Sequence, residues 1–215
     1  MQTNRRSSRI FKVLRKHPSI SRSTINKSKI QGDTSMRKLE IGSGNRPQEG
    51  YEHLDLDPKC PHVEYVAPMD KIPTEDNVFS EVISVHVIEH DSWRKSKEIL
   101  KEWYRVLAVD GVCIVTTPNL KFICEMYVDG KNGGTKWLKD YGIMHPEEKA
   151  HIDIDGVPNL SRWANFKLFS STAGGDIHYA CYDADSLTSL MKQIGFKDIK
   201  VEHDGDSLTV KGYKR

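Results

Sequence analysis

Lys38-Leu39-Glu40-Ile41-Gly42-Ser43-Gly44 decides the fold together with Leu54-Asp55-Leu56-Asp57, whose Asp55 follows Gly44 by eleven positions. An apolar strand runs into a Gly-x-Gly turn, and a second short strand ends in Asp. Gly42 and Gly44 permit backbone angles and a close approach that a Cβ would block. Asp55 then stands where it accepts hydrogen bonds from a ribose diol. The segment reads as a nucleoside cradle.

The spacing argues against a dinucleotide. That fingerprint has a third glycine opening a helix whose N-terminus meets a pyrophosphate, and here the third position is Pro47. The acidic residue also arrives early, where the dinucleotide pattern expects it about 20 residues on. Glu40, just before the turn, would repel a phosphate. A cofactor with a ribose and no phosphate fits these residues better.

Downstream come Asp70-Lys71-Ile72-Pro73, a strand-like run over 77–85, and His86-Val87-Ile88-Glu89-His90. A helical stretch ends in Arg105-Val106-Leu107-Ala108-Val109-Asp110-Gly111, and residues 112–119 read Val-Cys-Ile-Val-Thr-Thr-Pro-Asn. With these motifs the chain resembles the class I S-adenosylmethionine-dependent methyltransferases, specifically the small type 11 group, over roughly residues 36–201. Members typically carry a Gly-x-Gly loop, a Glu-His segment after the fourth strand and a Pro-Gly-Gly turn before the fifth.

The resemblance implies S-adenosyl-L-methionine as cofactor and methyl transfer to a small-molecule acceptor through an oxygen or nitrogen nucleophile. It implies an α/β, Rossmann-like class I fold: a seven-stranded, mostly parallel sheet, the last strand antiparallel, with helices on both faces. It places Glu40, Gly42, Ser43, Gly44 and Asp55 at the cofactor, with Asp70 near the adenine and His86 near the reacting end. Two departures stand out. Val109-Asp110-Gly111 replaces Pro-Gly-Gly but keeps a turn-forming Asp-Gly. Only ten residues separate Gly44 from Asp55, fewer than a parallel crossover normally takes, so the loop 45–51 is expected to be compact.

At 215 residues and 37% hydrophobic content the chain suits one α/β domain. No apolar run approaches the roughly 18 residues of a membrane helix. Cys60, Cys113, Cys124 and Cys181 form no Cys-x-x-Cys pair, as expected of reduced thiols in the cytoplasm. The net charge of +2 is unevenly spread: residues 1–35 hold nine Lys or Arg against Asp33 alone, which leaves the remainder at −6. Such a core lacks the basic footprint of a nucleic-acid binder. Residues 1–35 are Ser- and Arg-rich without apolar periodicity and are expected to be a disordered extension. A transit-like segment or a surface-touching tail fits the same composition. The methyltransferase domain is then residues 36–215.

Strands are expected at 39–41, 51–56, 63–66, 82–85, 112–117, 196–202 and 207–212. Residues 92–107 place apolar side chains three and four apart and read as an amphipathic helix, with Trp93 and Trp103 in the core. Residues 183–194 form the next helix, with an Asp cap, a stripe of Leu187, Leu190, Met191 and Ile194, and Gly195 at its end. Asp204-Gly205 signals a hairpin, which turns the last strand antiparallel. The 65 or so residues at 118–182 exceed what a minimal connection needs. Long connections are usually lids or binding loops, and this one is expected to enclose the acceptor at the strands' carboxyl edge.

Methyl transfer from a sulfonium is an in-line displacement, so the protein supplies alignment and exclusion of water. A nucleophile that begins protonated also needs a base, and His suits neutral pH. The candidates are His86 and His90 at the end of strand four, and His145, His151 and His178 from the insertion. His90 and His178 are the catalytic assignments. No metal set is assigned, although His86, Glu89 and His90 at i, i+3 and i+4 share a helical face. With a His from the insertion, such as His151, they could hold a divalent ion. That arrangement is similar to one in small-RNA 3′-end 2′-O-methyltransferases, except that His86 stands where those have a first Glu. Metal-assisted ribose 2′-O-methylation is therefore an alternative, as is a non-catalytic nucleoside-binding or scaffold protein.

Overall fold

The computed structural model describes residues 37–169 and 177–215. The expectations placed on residues 1–35 lie outside the described residues, as does 170–176 of the insertion. Seven strands, β1 (Lys38–Ile41), β2 (Glu52–Asp55), β3 (Val63–Val66), β4 (Phe79–Val85), β5 (Leu107–Pro118), β6 (Lys197–Asp204) and β7 (Ser207–Tyr213), form one sheet in the order β3-β2-β1-β4-β5-β7-β6. Every pairing from β3 to β5 is parallel, and β7 runs antiparallel to both β5 and β6. The last strand is thus the odd one, as the Asp204-Gly205 hairpin predicts; Gly205 takes φ +57° in the turn.

Leu39 and Ile41 of β1 are fully buried, and Glu40 between them is buried on the opposite face. A carboxylate survives there because it is served from three directions. Its oxygens accept from the Gln48 backbone N–H at 2.8 Å and the Gln48 amide at 3.0 Å, and His53 Nδ1 lies at 3.0 Å. The same contacts pin the loop 45–51, so β1 reaches β2 without a helix, as the short spacing predicts.

Helix α1 (Ser96–Val106) buries Ile99, Leu100, Trp103 and Val106. The Trp103 indole N–H donates to the Met69 carbonyl at 2.9 Å, tying the segment after β3 to the helix. The core placement expected for Trp93 is corrected: the residue is 64% exposed. A short 3-10 turn (Trp93–Lys95) precedes the α-helix, so Trp93 falls out of phase with the apolar stripe. Where the sequence reads a turn before strand five, β5 already begins at Leu107, opposite Phe79, and Val112 next faces Glu81. Residues 108–111 bulge out between them, with Asp110 at φ +64°. Lys214 clamps the bulge, accepting from Asp110 N–H at 2.7 Å and donating to the Gly111 carbonyl at 3.0 Å.

The described residues of the insertion contribute four helices, α2 (Leu120–Lys131), α3 (Lys136–Ile143), α4 (Pro146–Ile152) and α5 (Leu160–Phe169). They surround a core of their own, built on Ile123, Trp137, Ile152 and Trp163. Helix α6 (Ala184–Ile194) begins at Asp183, whose side chain accepts from Ser186 N–H at 2.8 Å, and ends at Gly195 with φ +124°. The Ser186 hydrogen bonds hold the Asp183 carboxyl below its ordinary value. α6 packs beside α1, with Leu187 and Met191 in the main core. Among the described residues no helix is long and apolar enough to cross a membrane.

Candidate active site

The strand order reverses between β1 and β4, and ligands of open α/β sheets bind at such a point, outside the carboxyl ends of the strands. A cavity of about 340 Å³ lies there, lined among others by Gly42, Asp55, Met69, His86, His90 and Asp91. Gly42 turns the chain at φ +70° and donates its N–H to the Leu54 carbonyl at 2.7 Å. A Cβ at this position would stand 2.4 Å from Val87 Cγ2. Gly44, at φ +53°, donates its N–H to Asp55 Oδ2 at 2.9 Å, and Asp57 N–H donates to Oδ1 at 2.9 Å. Two backbone donors thus hold the Asp55 carboxylate at the cavity, and its remaining lone pairs can serve hydroxyls. A cradle that a Cβ would fill, beside a fixed acceptor, fits the ribose of a nucleoside cofactor.

Other sequence candidates lie elsewhere. Glu40 does not line this cavity, its carboxylate being engaged by Gln48 and His53. Ser43 is buried, and its hydroxyl has no hydrogen-bond partner among the described residues. Asp70 pairs with Lys95 at 3.8 Å, while its neighbour Met69 faces the cavity. Met69 and Asp91 escape the sequence reading, although each adjoins a residue it singles out.

The end of β4 gathers the imidazoles. His86 adopts φ +54°, a strained angle for a residue with a Cβ. Its Nδ1 lies 3.2 Å from Glu89 Oε1, and Glu89 is fully buried. The Glu89 carbonyl accepts from Tyr179 N–H at 2.7 Å and Ala180 N–H at 3.2 Å, which draws the end of the insertion onto this edge. His178 arrives with it, its ring 5.0 Å from that of His90 in an edge-to-face arrangement. His90 and His178, named together from sequence, are therefore neighbours. His145 instead caps α4, and neither it nor His151 lines the cavity.

Two further polar groups border this edge. Burial pushes the Cys181 thiol up, with Cys124 and Glu89 adding to the shift. Burial also raises the Tyr182 hydroxyl to about 12, against an opposing hydrogen bond with Ser96. Both stay protonated at neutral pH, so neither offers a thiolate or phenolate, and the imidazoles are the basic groups at hand.

Residues 30–115 match the family model described as a methyltransferase domain. No curated protein sequence matches the chain. A solved methyltransferase of Thermotoga maritima shares 16% identity and the fold at a TM-score of 0.53, over 83% of this chain and 82% of its own. One of Archaeoglobus fulgidus shares 13% identity at 0.51, over 83% and 86% respectively. The domain match lies on the first half of the sheet, where the cavity opens, and the fold is shared with these solved methyltransferases, so the chain carries a methyltransferase-domain match on a methyltransferase fold.

Proposed function

We propose that the chain methylates a small molecule bearing an oxygen or nitrogen nucleophile, with the acceptor seated where His178 meets His90. In this reading Gly42, Gly44 and Asp55 hold the cofactor, Ser43 and Asp70 support the cradle, and His86 stands toward the reacting end. Glu40 acts indirectly by bracing the loop 45–51. The observation that carries the reading is the 5.0 Å approach of the His178 and His90 rings, because the insertion delivers a base to the rim of the cofactor cavity. The acidic balance of residues 36–215 favours a small acceptor over nucleic acid. A domain boundary at residue 36 belongs to the same proposal, and a chain beginning there should keep its cofactor affinity.

The test is His178→Ala, assayed for S-adenosylhomocysteine formation against a panel of small alcohols, acids and amines. Loss of a positioned base costs about 10²–10⁴-fold in rate, whereas cofactor affinity by calorimetry should stay within a few-fold. Normal turnover in the variant would assign His178 a structural role.

A further inference from the structure

We propose that a cavity between helices α2 and α5 receives an apolar tail, an alkyl chain or aryl ring, and that the tail belongs to the methyl acceptor. The second half rests on the methyl-transfer reading above; the tail cavity does not.

The two helices meet closely at one end. A Cβ on Gly130 would stand 2.7 Å from Leu160 Cδ2, so the last turn of α2 lies against the first of α5. Farther along the pair a cavity of about 370 Å³ opens, of a size that takes a small ligand. Ile123, Cys124, Tyr127 and Val128 of α2 line it together with Ala164 and Leu168 of α5. Steps of four residues put such positions on one helical face, so the wall is built into the register of both helices.

The lining selects its occupant by chemistry. Among the described residues that line the cavity none is His, Lys, Arg, Asp or Glu, and its polar groups are few: Ser161, Asn165 and the hydroxyl of Tyr127. A phosphate or a sugar would give up most of its hydrogen bonds to water on entering, whereas a hydrocarbon or aromatic group gives up none. Val128 is 58% exposed at the wall, which leaves apolar surface that such a tail would cover.

Continuity with the candidate active site identifies the tail's owner. Leu168 lines the cavity, and His178 Nδ1 lies 3.2 Å from its carbonyl oxygen. The Cys181 thiol donates to the same carbonyl at 3.6 Å. That thiol also feels Cys124 of the cavity wall and Glu89 beside the imidazoles. Phe169, Ile177 and Tyr179, next to His178 or bonded to its backbone, are exposed and extend the apolar surface around it. The cavity thus adjoins the pair of His178 and His90 across a single residue.

The acceptor class is accordingly amphipathic, with an oxygen or nitrogen nucleophile at one end and a hydrocarbon or aromatic group at the other. A nucleophile held at the imidazoles has its far end between α2 and α5. Free sugars and short hydroxy acids lack that second element. Each methylene taken out of water raises affinity by up to about fourfold, until the cavity is full.

The test titrates the full chain with 1-butanol, 1-hexanol and 1-octanol by calorimetry, and assays methylation of alcohols, acids and amines of the same chain lengths. Dissociation constants should fall as the chain lengthens. Cys124→Trp and Val128→Trp fill the cavity from exposed positions. Each should weaken 1-octanol by about tenfold or more, with circular dichroism and cofactor affinity unchanged. Equal affinity for all three alcohols, or full 1-octanol affinity in both folded variants, would overturn the tail cavity. In the assay, kcat/KM should rise with chain length in the wild type and stay flat in the Trp variants. Short and long acceptors methylated equally well would overturn the acceptor's claim to the tail and leave the methyl-transfer reading standing. Conversely, length-dependent binding with no acceptor of any length methylated would sustain the tail cavity and overturn the acceptor assignment.

Discussion

Lys167 Nζ stands 2.6 Å from Asp206 Oδ2, joining helix α5 of the insertion to the turn between β6 and β7. Asp140 of α3 lies 3.0 Å from the same ammonium and also accepts from the Trp163 indole at 2.8 Å. One cation therefore binds the insertion's core to the sheet. Leu168 and Phe169, just beyond it, hold His178 through their carbonyls, so this contact helps set where His178 falls.

Lys167→Met should therefore destabilise the fold by about 1–3 kcal/mol, because two carboxylates lose their partner. Burial alone would lower the Lys167 amine, but Asp206 and Asp140 outweigh it and raise the group. A folded pKa above the unfolded value contributes stability fully present below the unfolded pKa, about 10.4, and lost as pH rises through the folded one. Urea unfolding at pH 9 and pH 11 should show the gap between wild type and variant narrowing at the higher pH. A constant gap would mean that the contact is not electrostatic.

The two glycines of the cradle should respond differently to a methyl group. Gly42→Ala drives a Cβ to 2.4 Å from Val87 Cγ2, whereas Gly44→Ala meets nothing within 4 Å. Both incur a left-handed backbone cost of roughly 1–2 kcal/mol, and only the first adds a clash at the cavity wall. Thermal melts and cofactor titration should rank Gly42→Ala as clearly the more damaging. Equal losses would show that Val87 yields freely.

Asp55→Ala should weaken cofactor binding roughly tenfold to a hundredfold, since hydrogen bonds to a charged group contribute about 1.5–3 kcal/mol each. Part of that loss would come from Gly44 N–H and Asp57 N–H, which lose the acceptor that shapes the turn. An unchanged dissociation constant by calorimetry would remove the ribose assignment.

What the sequence determined by itself is local. Gly42 is legible because a left-handed turn against a neighbouring strand admits no Cβ, and Asp55 because the strand before it is short. Asp183 and Gly195 bound α6, and Asp204-Gly205 turns the final hairpin, each through backbone geometry settled within a few residues. The seven-stranded, mostly parallel sheet with its last strand antiparallel follows from those signals together with the resemblance. Tertiary structure alone decided the rest. Trp93 became exposed because a 3-10 turn shifted the helix phase, Glu40 turned to Gln48 and His53, and the described residues of the insertion became four helices around Trp137 and Trp163. His178, not His151, reached Glu89 and His90 because the backbone of residues 177–180 bonds to the end of β4. The core of the insertion and the placing of His178 depend on contacts between residues tens of positions apart, whose partners are chosen by packing and by the need to satisfy buried polar groups, and no local pattern encodes that choice.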